Sequence, residues 1–197
     1  MQKKIVFKIF MAVLFLCLLS GELYAEDLNS LFKQVEKLNI NRNGYVLGAA
    51  LNPEQVKTAA ANKVEAAALE TFKFKDKELF IVAQKTTNRV LVIYEQIEAV
   101  SQKKIQDLIG DLYMNFDDPT VLAHDKVVYW AYTKEGKITA GEFETARQDK
   151  IKLDILATVK CISDLHIMEK PKGPSTGQVY YIISSDPILK FFKDQKT

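Results

Sequence analysis

Two histidines and two cysteines are all this 197-residue chain offers of the side chains that most often do nucleophilic or metal chemistry. His124 stands beside Asp125, and His166 two residues after Asp164. Neither has a partner at HxxxH or CxxC spacing, so no zinc centre is expected. Both read as solvent-facing histidines. Cys161 could act as a nucleophile if folding brought it a histidine and an acid. It lies in phase with Ile155 and Val159 on the apolar side of an alternating stretch, which reads instead as a small buried hydrophobe. The chain has no GxSxG elbow and no glycine-rich phosphate loop. Ser184-Ser185-Asp186 reads as a strand end followed by a helix cap. Asp107 and Asp111 share a helix face with Lys103 and Lys104 one turn earlier, a solvated arrangement. No catalytic residue, no metal and no cofactor are expected.

The aromatic residues are more suggestive. Tyr129, Trp130 and Tyr132 lie on one strand-like segment, and Tyr180 and Tyr181 on another. If those segments are neighbours, their hydroxyls and the nearby His166 could rim a binding groove. Packing inside a sheet core is the competing use, because strands favour aromatics in any case.

The element that must hold these residues is Ile151 to Met168. Its odd positions are apolar except Ser163, and its even positions are mostly polar. Period-two patterning marks a strand with one buried face. At roughly 3.3 Å per residue it would reach about 56 Å, against a radius of gyration of about 15 Å for a chain of this size. It must therefore bend, bulge or break, and the pattern lapses at Ser163-Asp164. A helix over Ile151 to Ile162 is the runner-up, disfavoured by β-branched residues. The Pro/Gly loop Glu169 to Gly177 then leads to a partner strand, Gln178 to Ser185, and a last helix from Asp186-Pro187.

The first half reads similarly. Asp27 to Leu38 carries one apolar stripe at helical spacing. Asn39 to Gly44 is turn chemistry, and Gly44 to Leu51 a short buried strand. Asn52-Pro53-Glu54 opens a helix expected to run to about Glu70, with Val56, Ala59, Ala60, Val64, Ala67 and Ala68 as its stripe. Strands follow at Thr71 to Lys75, Leu79 to Ala83 and Val90 to Tyr94, the last two joined by a hairpin-length loop. Ser101 caps a helix to Phe116. Val127 to Thr133 is a strand, and Thr139 caps a short helix to about Asp149. The expected fold is α+β: a largely antiparallel sheet with helices on one face. Two similar β-α-β-β-α halves, 44–116 and 127–194, are suggested by matching helix starts at Asn52 and Thr139.

The N-terminus reads as a secretory signal. Lys3, Lys4 and Lys8 precede the apolar run Ile9 to Leu19, and Ala25 is a plausible residue before the cut. The run is too short to span a bilayer. Residues 26–197 then form a single domain. Loss of three lysines and Glu22 from 27 basic and 25 acidic residues leaves 24 of each. A net charge of zero speaks against nucleic acid. The one remaining cysteine, Cys161, rules out an internal disulfide in the exported chain. The expected product is periplasmic or secreted, with no membrane span after cleavage. Two functions compete. One is a non-catalytic module for a protein, peptide or envelope component. The other is a small-molecule binder or hydrolase with a Tyr/Trp-lined pocket.

Overall fold

The structure is a computed structural model that describes residues 28–65, 68–170, 173 and 175–193. The expected signal, residues 1–25, and Ala67 lie outside them. Residues 28–37 form α1, which buries Phe32 and Val35. The chain reverses through Asn39 (φ 51°) into a small hairpin, Asn41–Arg42 (β1) against Tyr45–Val46 (β2). Its two central residues, Asn43 and Gly44, have φ of 49° and 82°. A type I′ turn needs positive φ at both positions, and Asn-Gly meets that demand at the least steric cost. The expected strand Gly44 to Leu51 is therefore shorter than its apolar run. Gly48, at φ 81°, breaks it, and Ala50 makes only a single bridge to Arg89.

Asn52 caps α2 (Pro53–Ala61) through a reciprocal box with Gln55. The expected continuation to about Glu70 is not made. Alanines favour helix locally, but Asn62 ends it, and its carbonyl accepts from Lys75 N–H at 3.1 Å. Lys63–Val64 (β3) then pairs with the edge of the sheet, so tertiary pairing overrides propensity. Thr71–Asp76 (β4), Leu79–Gln84 (β5) and Val90–Ser101 (β6) form a meander. β6 runs beyond the expected Tyr94 because the last strand of the chain pairs along it to Ser101. Ser101 caps α3 (Gln102–Phe116).

Val121–Ala123 (β7), Val127–Thr133 (β8) and Gly136–Lys137 (β9) come next, then α4 (Ala140–Gln148), capped by Thr139 with Glu142. Ala157–Ser163 (β10), Thr176–Ser184 (β11) and α5 (Asp186–Lys193) complete the described chain. The sheet order is β3-β4-β5-β6-β11-β10-β8-β7, with β9 on β8, and every recorded pairing is antiparallel. The chain is thus α+β around one large antiparallel sheet.

The stretch Ile151 to Met168 contributes only seven residues of strand. Residues 151–156 have no strand left to join. β8 reaches Ala157 at Tyr132 and turns away into β9, while β11 ends at Ser184 opposite Thr158. The break at Ser163-Asp164 falls where the pattern lapses, and the pairing with the strand after the Pro/Gly loop is made.

Register assigns the sheet's two faces. Val128, Cys161, Tyr181, Glu95 and Leu79 form one row, and Trp130, Val159, Ile183, Ile93, Ile81 and Phe74 the next. Apart from Glu95 these residues are buried. Tyr45 meets Phe74 edge-on at 5.8 Å, and Tyr113 and Phe116 of α3 pack on Trp130, both at 5.9 Å. The β1–β2 hairpin and α3 therefore lie over this first face. The second face carries the row Tyr129, Lys160, Ile182, Tyr94, Phe80 and Lys75, all half-buried.

Candidate functional site

The ends of α1 and α3 and the β1–β2 hairpin leave a cleft of about 390 Å³ over the first face of the sheet. Arg42, Tyr132, Tyr181, Asn39, Asn115 and Phe116 are among its lining residues. The Asn43-Gly44 turn folds β1 back so that Arg42 reaches the sheet. Its guanidinium carbon lies 5.2 Å from the centre of the Tyr181 ring, a cation–π arrangement. Its Nη2 stands 3.4 Å from Glu95 Oε2, one row-mate of Tyr181. That is a long, single-point ion pair.

Two polar atoms of this site are buried without a hydrogen-bond partner among the described residues: Arg42 Nε and the Tyr181 hydroxyl oxygen. A buried donor without a partner costs about 1–3 kcal/mol, and most native structures avoid it. Burial pushes the Tyr181 phenol up, against the lowering pull of Arg42. Burial, with the Asp117 carboxylate, pushes the Tyr132 phenol up to about 12. Both phenols keep their protons at physiological pH and can donate.

The aromatic residues singled out in the sequence do not form one groove, because adjacent strand residues point to opposite faces. Tyr132 and Tyr181 reach the cleft. Trp130 is fully buried beside it, with Nε1–H donating to the Asp117 carbonyl at 2.8 Å. Tyr129 and Tyr180 face the other way. The Lys160 ammonium lies 5.4 Å from the Tyr129 ring centre, and the Tyr180 hydroxyl donates to Gln178 Oε1 at 3.4 Å.

His166 sits apart, in a depression it shares with Gln102, Glu169 and Lys170. Its Nδ1 is 3.5 Å from Asp125 Oδ2 and 4.0 Å from Glu169 Oε1. Gln102 Nε2 donates to the His166 and Glu169 carbonyls at 2.8 and 2.7 Å, which shapes the loop. His124 and Asp125, at φ 50° and 53°, make the turn between β7 and β8. Cys161 is buried, and burial alone pushes its thiol up to about 12. Among the described residues no group of three or more His, Cys, Asp and Glu is placed to hold a metal ion, and no helix is long and apolar enough to cross a membrane.

Of the cleft residues, sequence reasoning named Tyr132 and Tyr181 and missed Arg42, Asn39, Asn115 and Phe116 among others. The available signal was an arginine directly before an Asn-Gly turn, a position from which a short hairpin can lay a cation on the sheet beneath. The chain matches no family model, no curated protein and no solved structure.

Proposed function

We propose that this chain is an exported, non-catalytic binding module that holds a small polar ligand in the cleft between the β1–β2 hairpin and the end of α3. The observation that carries the reading is that two residues lining one cleft, Arg42 and Tyr181, each carry a buried polar atom without a hydrogen-bond partner among the described residues, Arg42 Nε and the Tyr181 hydroxyl. A ligand oxygen would recover the hydrogen bonds the fold leaves unmade. The volume suits a small molecule. Cys161 is protonated and buried in the sheet, and both histidines lie away from the cleft, which supports binding rather than catalysis. Export rests on the basic and apolar pattern of residues 1–25. A protein or envelope partner is the second reading, favoured by the half-buried row from Tyr129 to Phe80 on the sheet's second face.

Thermal unfolding of the chain in the presence of amino acids, sugars, dicarboxylates and polyamines tests the first reading. A ligand at 100 times its Kd adds about 2.7 kcal/mol to native stability, so a binder raises the midpoint in a concentration-dependent way. Asn115→Trp, which fills the cleft from its rim, abolishes that rise. No rise with any compound, or a rise that survives Asn115→Trp, contradicts the cleft as the ligand site.

A further inference from the structure

The inventory of the cleft says more than that a polar molecule fits. Arg42 and Tyr181 line its floor, and each holds a buried donor without a partner among the described residues, Arg42 Nε–H and Tyr181 O–H. Its rim is made by two helix C-termini: Leu38 and Asn39 end α1, and Asn115 and Phe116 end α3. A helix C-terminus carries about half a negative charge and carbonyls without intrahelical partners. The end of α3 already holds a cation: the Lys137 ammonium sits on the Phe116 carbonyl and lies 3.6 Å from Asp117 Oδ2. Lys37, on the last turn of α1, is exposed and does not line the cleft. Both ends already draw N–H donors. Lys137 Nζ donates to the Phe116 carbonyl at 2.8 Å, and Asn41 Nδ2 to the Asn39 carbonyl at 3.1 Å. The cleft is thus polarised, with donors at its floor and the acceptor end of α1 on its rim.

A simple anion suits the floor but meets the C-terminus of α1 and Glu95. A simple cation suits the end of α1 but meets Arg42 and the Lys137 ammonium. The Arg42–Glu95 pair is itself neutral, so a ligand of zero net charge leaves the balance undisturbed. We infer that the cleft takes a zwitterion of the α-amino-acid type, its carboxylate on Arg42 and Tyr181 and its ammonium at the carbonyl end of α1. A guanidinium edge and a phenol together match the two oxygens of a carboxylate. Leu38 and Phe116 give the remaining wall an apolar character for a side chain. This inference rests on the cleft being the ligand site.

The test is calorimetric titration of the full chain with L-leucine, L-glutamate and L-lysine, with N-acetyl-leucine and leucinamide, and with glucose. At least one free amino acid binds. N-acetylation, which removes the ammonium, and amidation, which removes the carboxylate, each weaken binding at least tenfold. Tyr181→Phe keeps the ring and removes only the unpartnered hydroxyl, so it folds and weakens amino-acid binding about tenfold. Arg42→Gln weakens it further. Blocked derivatives that bind as well as the parent overturn the inference, and so does glucose binding alone with sensitivity to Asn115→Trp. In both cases the cleft stands as a ligand site. No binding by any compound in either panel removes the inference and the cleft reading together.

Discussion

Cys161 and Tyr181 are register partners on neighbouring strands, and burial keeps both protonated. Cys161 could be placed from the sequence, because its odd position shares the phase of the apolar residues around it. Accordingly, a maleimide added to the native chain leaves Cys161 unlabelled, and urea unfolding exposes it to full labelling. Rapid native labelling would show an accessible thiolate and contradict the burial. Tyr181 was legible only as one of a pair of tyrosines. Alternation separates Tyr180 from Tyr181 and Tyr129 from Trp130, so closeness in sequence was the wrong guide to a shared groove. Arg42 could not be read at all: its meeting with Tyr181 depends on a hairpin folding over a sheet assembled from later residues. In the ligand-free protein, Tyr181→Phe removes a buried hydroxyl that has no partner, and it raises stability by about 1 kcal/mol. A loss of stability in chemical denaturation would mean that the hydroxyl is satisfied.

Among the elements, caps and turns were the most legible parts of the chain. Asn52, Ser101 and Thr139 cap the helices they were expected to cap, because a cap needs only its own local backbone. The ends of α2 and β10 were not legible. Both are decided by whether a partner strand is present, which no local pattern contains. The bulge in β11 is a further tertiary feature. A Cβ on Gly177 would strike Asp164 Oδ1 and the Leu165 side chain, and Asp164 Oδ1 accepts from the Gln178 N–H at 2.9 Å. Gly177→Ala therefore costs about 1–3 kcal/mol by overpacking, measured by urea denaturation; an unchanged midpoint would show that the loop yields freely. The α4 cap has a pH signature. Hydrogen bonds from the Thr139 backbone and hydroxyl hold the Glu142 carboxyl below its usual value. A lowered carboxyl stabilises the native state above the unfolded value, and that contribution is lost as pH falls through the folded one. Amide shifts of Thr139 and Glu142 then titrate together at acidic pH, below the range of an ordinary glutamate. Titration at the ordinary value would remove the cap from the account.

For the molecule as a whole, the α+β class and the central hairpin pairings followed from hydrophobic period, since both depend on which residues are apolar. The assembly of one nine-stranded sheet did not, because β6 against β11 joins segments far apart in the chain. Burial in this sheet predicts an alkaline limit. Cys161 rises from 9.0 to about 12 and Tyr132 from 10.0 to about 12, and the Tyr45 and Tyr181 phenols are also raised. The unfolded chain releases these protons first, so stability is full below pH 9 and falls as pH climbs toward about 12. Denaturation midpoints at successive alkaline pH values check this, and a flat profile would contradict it. The central claim is that the cleft over Tyr181 is where this molecule meets its ligand. Its most direct measurement is a two-dimensional amide NMR titration of the chain with the amino acid that binds most tightly. The account predicts shifts concentrated at Asn39 to Asn43, Asn115, Phe116, Tyr132 and Tyr181. Shifts confined to the second face around Tyr129 and Tyr94, or to the loop around His166, would contradict it.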